Sequence, residues 1–220
     1  MRACVRIDSV HQGDLDGTKG LYHINAVDCV TQWEVVATVQ TISEAHLLPV
    51  IEQMFEQFPF EILGFHADNG SEYVNHRVAA MLDKLRVEFT RSRPRRSNDN
   101  GLAETKNGAV VRRLFGYGHI PQRHAVRFNT FCTEYLNPFL NFHRPGLFAT
   151  EVVDPKKPGR IKRVYRPKDA MTPLNKLASL PDAAQYLRQG IALAELYKLA
   201  HALTDVQAAE ELNEARTALS

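Results

Sequence analysis

Apolar and polar residues alternate at the start of the chain. Cys4-Val5-Arg6-Ile7-Asp8-Ser9-Val10 changes character at every second position, as a half-buried strand does. Gly13, Asp14, Asp16 and Gly17 then mark a turn. Leu21 to Val27 and Trp33 to Val39 are β-branched or aromatic runs separated by Asp28-Cys29-Val30-Thr31-Gln32, so the opening predicts a three-stranded antiparallel meander. From Ser43, a candidate N-cap, the period becomes helical, with Ala45, Leu48, Ile51, Met54, Phe55 and Phe58 on one stripe. Pro49 inside it predicts a late start or a bend. Phe60 to Phe65 reads as a buried strand, Val74 to Leu85 as a helix and Val87 to Thr90 as a short strand. A further helical pattern opens near Gly101, giving the order βββαβαβα.

After about residue 118 the pattern changes. Arg123 to Phe142 is a long amphipathic stretch with an interruption expected at Pro138, and Pro145 to Pro167 is rich in proline and basic residues. Pro181 to Ser220 predicts two helices, the first carrying Leu187, Ile191, Leu193, Leu196 and Leu199, the second acidic. The expected division is a catalytic core over 1–118, its helical continuation over 119–145, a basic linker over 146–170 and a C-terminal helical region over 171–220.

Composition changes this picture little. At 220 residues the chain is long enough for a sizeable core, and 44% hydrophobic with 24% charged residues is ordinary for a globular protein. No apolar run approaches a membrane span and no signal peptide is evident, so a bacterial cytosolic protein is expected, nucleoid-associated when bound to DNA. Cys4, Cys29 and Cys132 form no CxxC pair and read as buried thiols.

Charge matters more through its distribution than through its net value of +2. Residues 86–113 hold eight Lys or Arg against three Asp or Glu, and Lys156, Lys157, Arg160, Lys162, Arg163, Arg166 and Lys168 form a second run without an acid. Nucleic acid is the candidate partner of both; an isolated basic run is more often a solvated loop, and an acidic cluster close to the first run reverses that preference for it.

That cluster is Asp8, Asp68 and Glu104. Asp8 stands in the first strand, Asp68 where an apolar run turns at Asn69-Gly70, and Glu104 where a polar loop enters a helix. Singly, Asp68 could stabilise its turn and Glu104 could answer a helix dipole. Together, carboxylates at element ends can converge on divalent cations. Thirty-five residues lie between Asp68 and Glu104.

With the segments Asp68-Asn69-Gly70-Ser71-Glu72-Tyr73, Asn100-Gly101-Leu102-Ala103-Glu104-Thr105-Lys106-Asn107 and Leu136-Asn137-Pro138-Phe139-Leu140-Asn141-Phe142-His143-Arg144-Pro145, this spacing resembles the DDE superfamily. The likeness is to bacterial insertion-sequence transposases with a retroviral-integrase-type core. It implies an RNase H-like α/β fold, a mixed central sheet flanked by helices, with a C-terminal helical extension. It also implies two Mg²⁺ or Mn²⁺ ions held by Asp8, Asp68 and Glu104, and DNA cleavage followed by strand transfer. Element ends and target DNA are the implied partners, bound by a homo-oligomer. Related enzymes carry Lys or Arg seven residues after the glutamate. Here that position is Val111, and Arg112, about 80° round an ideal helix from Glu104, is expected to replace it. Arg95, Arg96, Lys106 and Arg112 are the expected DNA-backbone contacts. Such transposases also have an N-terminal helix-turn-helix; Asp8 stands near the start of this sequence, so a separate helix-turn-helix module is an expected partner.

Other conspicuous residues read as structural: His66 packed beside its strand, His11, Asp14 and Asp16 solvated in a turn, and Trp33, Phe55 and Phe65 in the core. Two alternatives stay open, an RNase H-like nuclease without strand transfer and a noncatalytic DNA-binding remnant of a transposase.

Overall fold

The computed structural model describes residues 3–67, 88–91, 101–153 and 159–219. Alternation in the first strand, β1 (Cys4–His11), sends Val5 and Ile7 into the core, fully buried. β1 pairs antiparallel with β2 (Tyr22–Asp28), and β2 with β3 (Glu34–Val39), forming the predicted meander. Its sharp return is built by Asp28, whose Oδ2 accepts from the Thr31 backbone and hydroxyl, each at 2.7 Å, while Gln32 takes a left-handed φ of 56°. β4 (Gly64–Ala67) joins β1 in parallel, and β5 (Glu88–Arg91) joins β4 in parallel. The sheet order is therefore β3-β2-β1-β4-β5, a mixed sheet flanked by helices as the resemblance implies.

β2 and β3 are buried on both faces because helices cover both. On one side α1 (Glu44–Glu56) brings Leu47, Ile51 and Met54 against Ile24, Val35 and Ala37. Pro49 lies within this helix, which starts at Glu44 despite it, and the Ser43 hydroxyl pairs with His46 instead of capping. Leu174 of α4 (Pro173–Ala178) and Leu196 of α5 (Leu193–Ala200) complete the same core. On the other side lie helix α2 over 101–115, helix α3 over 125–143 and α6 (Asp205–Ala218), which gather Val10 and Val36 with Val110, Val111, Phe131, Leu136, Leu140 and Leu212. The C-terminal helices thus pack into the two cores of the sheet.

One edge of the sheet is closed by side chains. Along β3, the Thr38, Val36 and Glu34 amides donate to Asn129, Asn137 and Asn141 of α3 at 3.1, 2.8 and 2.8 Å. Asn137 and Asn141 donate back to the Val36 and Glu34 carbonyls at 3.0 and 2.7 Å. Asparagine carries both a donor and an acceptor, so it can stand in for a neighbouring strand and cover the exposed edge.

Several expectations need correction. The strand read at Phe60 to Phe65 begins only at Gly64; Phe60 is buried in the preceding loop, where it bridges to Leu187, so Leu187 is extended and outside the helix. Helix α3 does not break at Pro138. Proline cannot donate the helical hydrogen bond, but wider π turns at Cys132–Leu136 and Phe139–His143 flank it and keep the backbone helical. Residues read as a linker hold two paired strands, β6 (Gly146–Val153) and β7 (Ile161–Met171). Of the three thiols only Cys132 is buried, and Cys29 is exposed. The helix predicted at Val74 to Leu85 lies outside the described residues.

Candidate active site at the sheet centre

β1 and α2 run side by side, and three polar contacts fix their register. Asn107 Nδ2 donates to Asp8 Oδ2 at 2.7 Å, and Arg112 Nη2 donates to the His11 carbonyl at 3.0 Å. The buried Gln12 amide reaches the Phe115 and Gly116 carbonyls, each at 3.1 Å, at the end of the helix. A strand advances roughly 13 Å between residues 8 and 12 and a helix roughly 12 Å between 107 and 115, so the two elements keep step. Glu104 lies one turn before Asn107 on the same helix side, in the opening α-helical turns Gly101–Lys106. The track therefore carries Glu104, solvent-exposed, to the Asp8 end.

β4 supplies the neighbouring position. It runs parallel to β1 with Ala67 opposite Ile7, the residue before Asp8. Asp68 follows Ala67 in the chain and lies outside the described residues, as do Arg95 and Arg96. Among the described residues no three His, Cys, Asp or Glu side chains cluster as a metal site.

Behind Asp8 stands a polar chain that no sequence motif announced. Asn25, the cross-strand partner of Asp8, is buried and donates to Asn107 Oδ1 at 3.0 Å. Lys106 Nζ lies 3.1 Å from Oε2 of Glu34, which is only 1% exposed. Burial pushes the Glu34 carboxyl above its usual range, and the Lys106 ammonium, the Arg144 charge and an Asn25 hydrogen bond oppose that shift. Their signal in the sequence was slight: an asparagine inside the apolar run of β2 and a glutamate at the head of β3.

Two expected DNA contacts are engaged inside the protein. Lys106 is paired with Glu34 and 18% exposed. Arg112 donates to the His11 and Gly116 carbonyls and sits over the Tyr117 ring, 4.7 Å from its centre. The ideal-helix angle used to place Arg112 does not hold, because the helix widens to a π turn over Asn107–Arg112 and buries both Val110 and Val111. His66 meets Thr90 Oγ1 at 2.9 Å, and His11 meets Asp14 at 3.1 Å.

Carboxylate oxygens are the ligands that magnesium takes, and each accepts more than one partner, so the Asn107 amide orients Asp8 without replacing a cation. The donor chemistry of Asp8 and Glu104 thus fits hard divalent ions. Residues 3–97 match the family described as Integrase core domain. Asp8 and Asp68 lie within the matched segment, and Glu104 lies beyond it.

The chain is 35% identical over 117 residues to "Uncharacterized protein y4rM" of Sinorhizobium fredii (strain NBRC 101917 / NGR234), covering 53% of this chain and 33% of the relative. It therefore spans one third of that protein's length. Among solved structures, the catalytic core domain of BIV integrase matches with a TM-score of 0.47 at 18% identity, over 65% of this chain and 86% of the other. The HTLV-2 integrase catalytic core domain in complex with magnesium matches with 0.45 at 14%, over 64% and 86%. No helix among the described residues is long and apolar enough to cross a membrane.

Proposed function

We propose that this chain is the catalytic core of a DNA transposase or integrase that cleaves phosphodiesters and transfers strands. The observation carrying this reading is the 2.7 Å Asn107–Asp8 contact, which brings the helix turn of Glu104 to the strand of Asp8. The parallel pairing of Ile7 with Ala67, next in sequence to Asp68, supports it from the other side. Asp8, Asp68 and Glu104 would hold two Mg²⁺ or Mn²⁺ ions. Ions held there would supply activation of the attacking oxygen and stabilisation of the leaving oxygen.

The chain's own residues keep that geometry. Asn107 fixes the Asp8 carboxylate, and the Glu34–Lys106 pair pins the helix beside Glu104. The attacking group would be water in cleavage and a DNA 3′-hydroxyl in joining, both meeting the same carboxylates. Bringing two element ends together calls for a homo-oligomer on DNA, with end recognition from a helix-turn-helix module. Arg95 and Arg96 remain proposed backbone contacts.

The test is a joining assay with magnesium or manganese and matching element ends. Wild type should give joined products, and Asp68→Asn and Glu104→Gln should give none; equal joining by either variant would falsify the assignment. Cleavage of RNA in a hybrid duplex without DNA joining would favour the nuclease reading, and metal-independent DNA binding without turnover would favour the remnant.

A further inference from the structure

We propose that the ribbon of β6 and β7 is a DNA-gripping arm that holds the phosphate backbone of duplex DNA outside the catalytic centre. The proposal rests on reading the core as a DNA enzyme, but its evidence is separate.

The ribbon is pinned at its base, and beyond it one face is exposed. Gln32 Nε2 donates to the Leu147 carbonyl at 3.0 Å, and Phe148 is buried with the Lys176 ammonium 5.3 Å from its ring centre. Beyond that base Ala149 pairs with Tyr165, Glu151 with Arg163 and Val153 with Ile161, all on one face, and Tyr165, Val153 and Ile161 are 60, 69 and 63% exposed. On the other face Val152 pairs with the exposed Lys162 and Thr150 with Val164, and Thr150, Val152 and Val164 are half-buried. A two-stranded ribbon with one face exposed is marginally stable in water, so a partner that covers that face would stabilise it.

Charge says which partner. The described part of the ribbon and its approach carry Arg160, Lys162, Arg163, Arg166 and Lys168. Its two described acids are engaged within the ribbon: Glu151 lies 3.5 Å from Arg163, and Asp169 accepts from the Thr150 hydroxyl at 2.8 Å. Arg160, Lys162, Arg166 and Lys168 make no ion pair among the described residues. In the core, by contrast, Lys106 and Arg112 are engaged internally.

Dimensions agree with duplex DNA. A strand advances about 3.3 Å per residue, close to the ~3.4 Å axial spacing of phosphates along one DNA strand, and a two-stranded ribbon fits the ~12 Å major groove. Three extra residues of β7 between the Ala149–Tyr165 and Leu147–Ala170 pairs bulge the strand where Arg166 and Lys168 stand, and a bulge re-aims side chains.

The test combines Arg160→Ser, Lys162→Ser, Arg166→Ser and Lys168→Ser in the full chain and measures binding of a fluorescent random-sequence duplex across a salt series. The variant should bind at least about tenfold more weakly at low salt, with the slope of log K against log salt reduced by up to about 3.6, roughly 0.9 for each of four phosphate contacts. An unchanged melting temperature shows the fold intact. Unaltered affinity and slope overturn the proposal. So does unaltered DNA binding with new self-association, which would make the charges guards of the open strand edges. Binding lost instead on replacing Val153, Ile161 and Tyr165 by Ser, with the salt slope kept, also overturns it. Asp68→Asn separates the two readings: it should bind duplex normally while failing to join, so failure of the arm and failure of the active site appear in different measurements.

Discussion

The Asn107 amide donates to Asp8 Oδ2 at 2.7 Å and accepts from Asn25 at 3.0 Å, so one side chain joins the candidate catalytic strand, its neighbour and the helix of Glu104. Supporting residues of this kind typically change metal affinity or activity about 10–100-fold when removed. Asn107→Ala should therefore reduce joining by about that factor and raise the magnesium concentration needed for half-maximal rate. A purely structural role would lower the melting temperature and leave the magnesium dependence unmoved.

Glu34 and Lys106 form a buried pair whose partners are unequal in risk. Removing one partner of such a pair leaves a charge uncompensated and costs about 3–5 kcal/mol, whereas removing both is often nearly neutral. Lys106→Met should thus destabilise strongly in urea unfolding, and Glu34→Gln with Lys106→Met should recover much of the loss. The pH dependence has a definite sign. A carboxyl whose pKa is raised on folding favours the protonated folded state, so its cost grows as pH rises through the folded value. Lowering the pH should narrow the gap between Lys106→Met and wild type; a gap constant from pH 5 to 8 would argue against an ionised Glu34.

The meander was legible because hydrophobic period and turn residues act locally, whereas the adjacency of Asp8's strand to the one before Asp68 followed only from the family resemblance, since periodicity does not give strand order. Contacts set by tertiary register were not legible. Lys106 reads as a phosphate ligand until the sheet places Glu34 under it, and Arg112 until a π turn swings it onto the His11 carbonyl. Pro138 reads as a break because propensity cannot see wider turns beside it. The Asn137 and Asn141 motif was noticed only as a likeness; its physical task appears once the edge of β3 lies against α3.

That task predicts a local effect. Asn137→Ala removes the acceptor of the Val36 amide and the donor to its carbonyl, leaving buried backbone groups unpaired. Each such loss costs about 1–3 kcal/mol. Hydrogen exchange at Val36 should accelerate well before exchange at Ile24 in the sheet interior. Exchange unchanged at Val36 would mean that the edge is protected by burial alone.

His23 sets an acid limit on stability. Its ring is buried, stacks on Phe115 at 4.3 Å and shares a 3.0 Å hydrogen bond with Thr38 Oγ1. Burial, with a smaller contribution from the Arg112 charge, lowers its pKa to about 3. The unfolded chain then binds a proton below about pH 6.5 that the folded chain refuses until about pH 3. Stability from this group is complete above the unfolded value and falls by up to about 1.4 kcal/mol per pH unit on acidification through that window. His23→Gln, which cannot titrate, should unfold more easily at pH 7.5 yet lose less stability between pH 6 and 4.5 than wild type. Parallel stability curves for the two proteins would show that His23 is protonated in the fold.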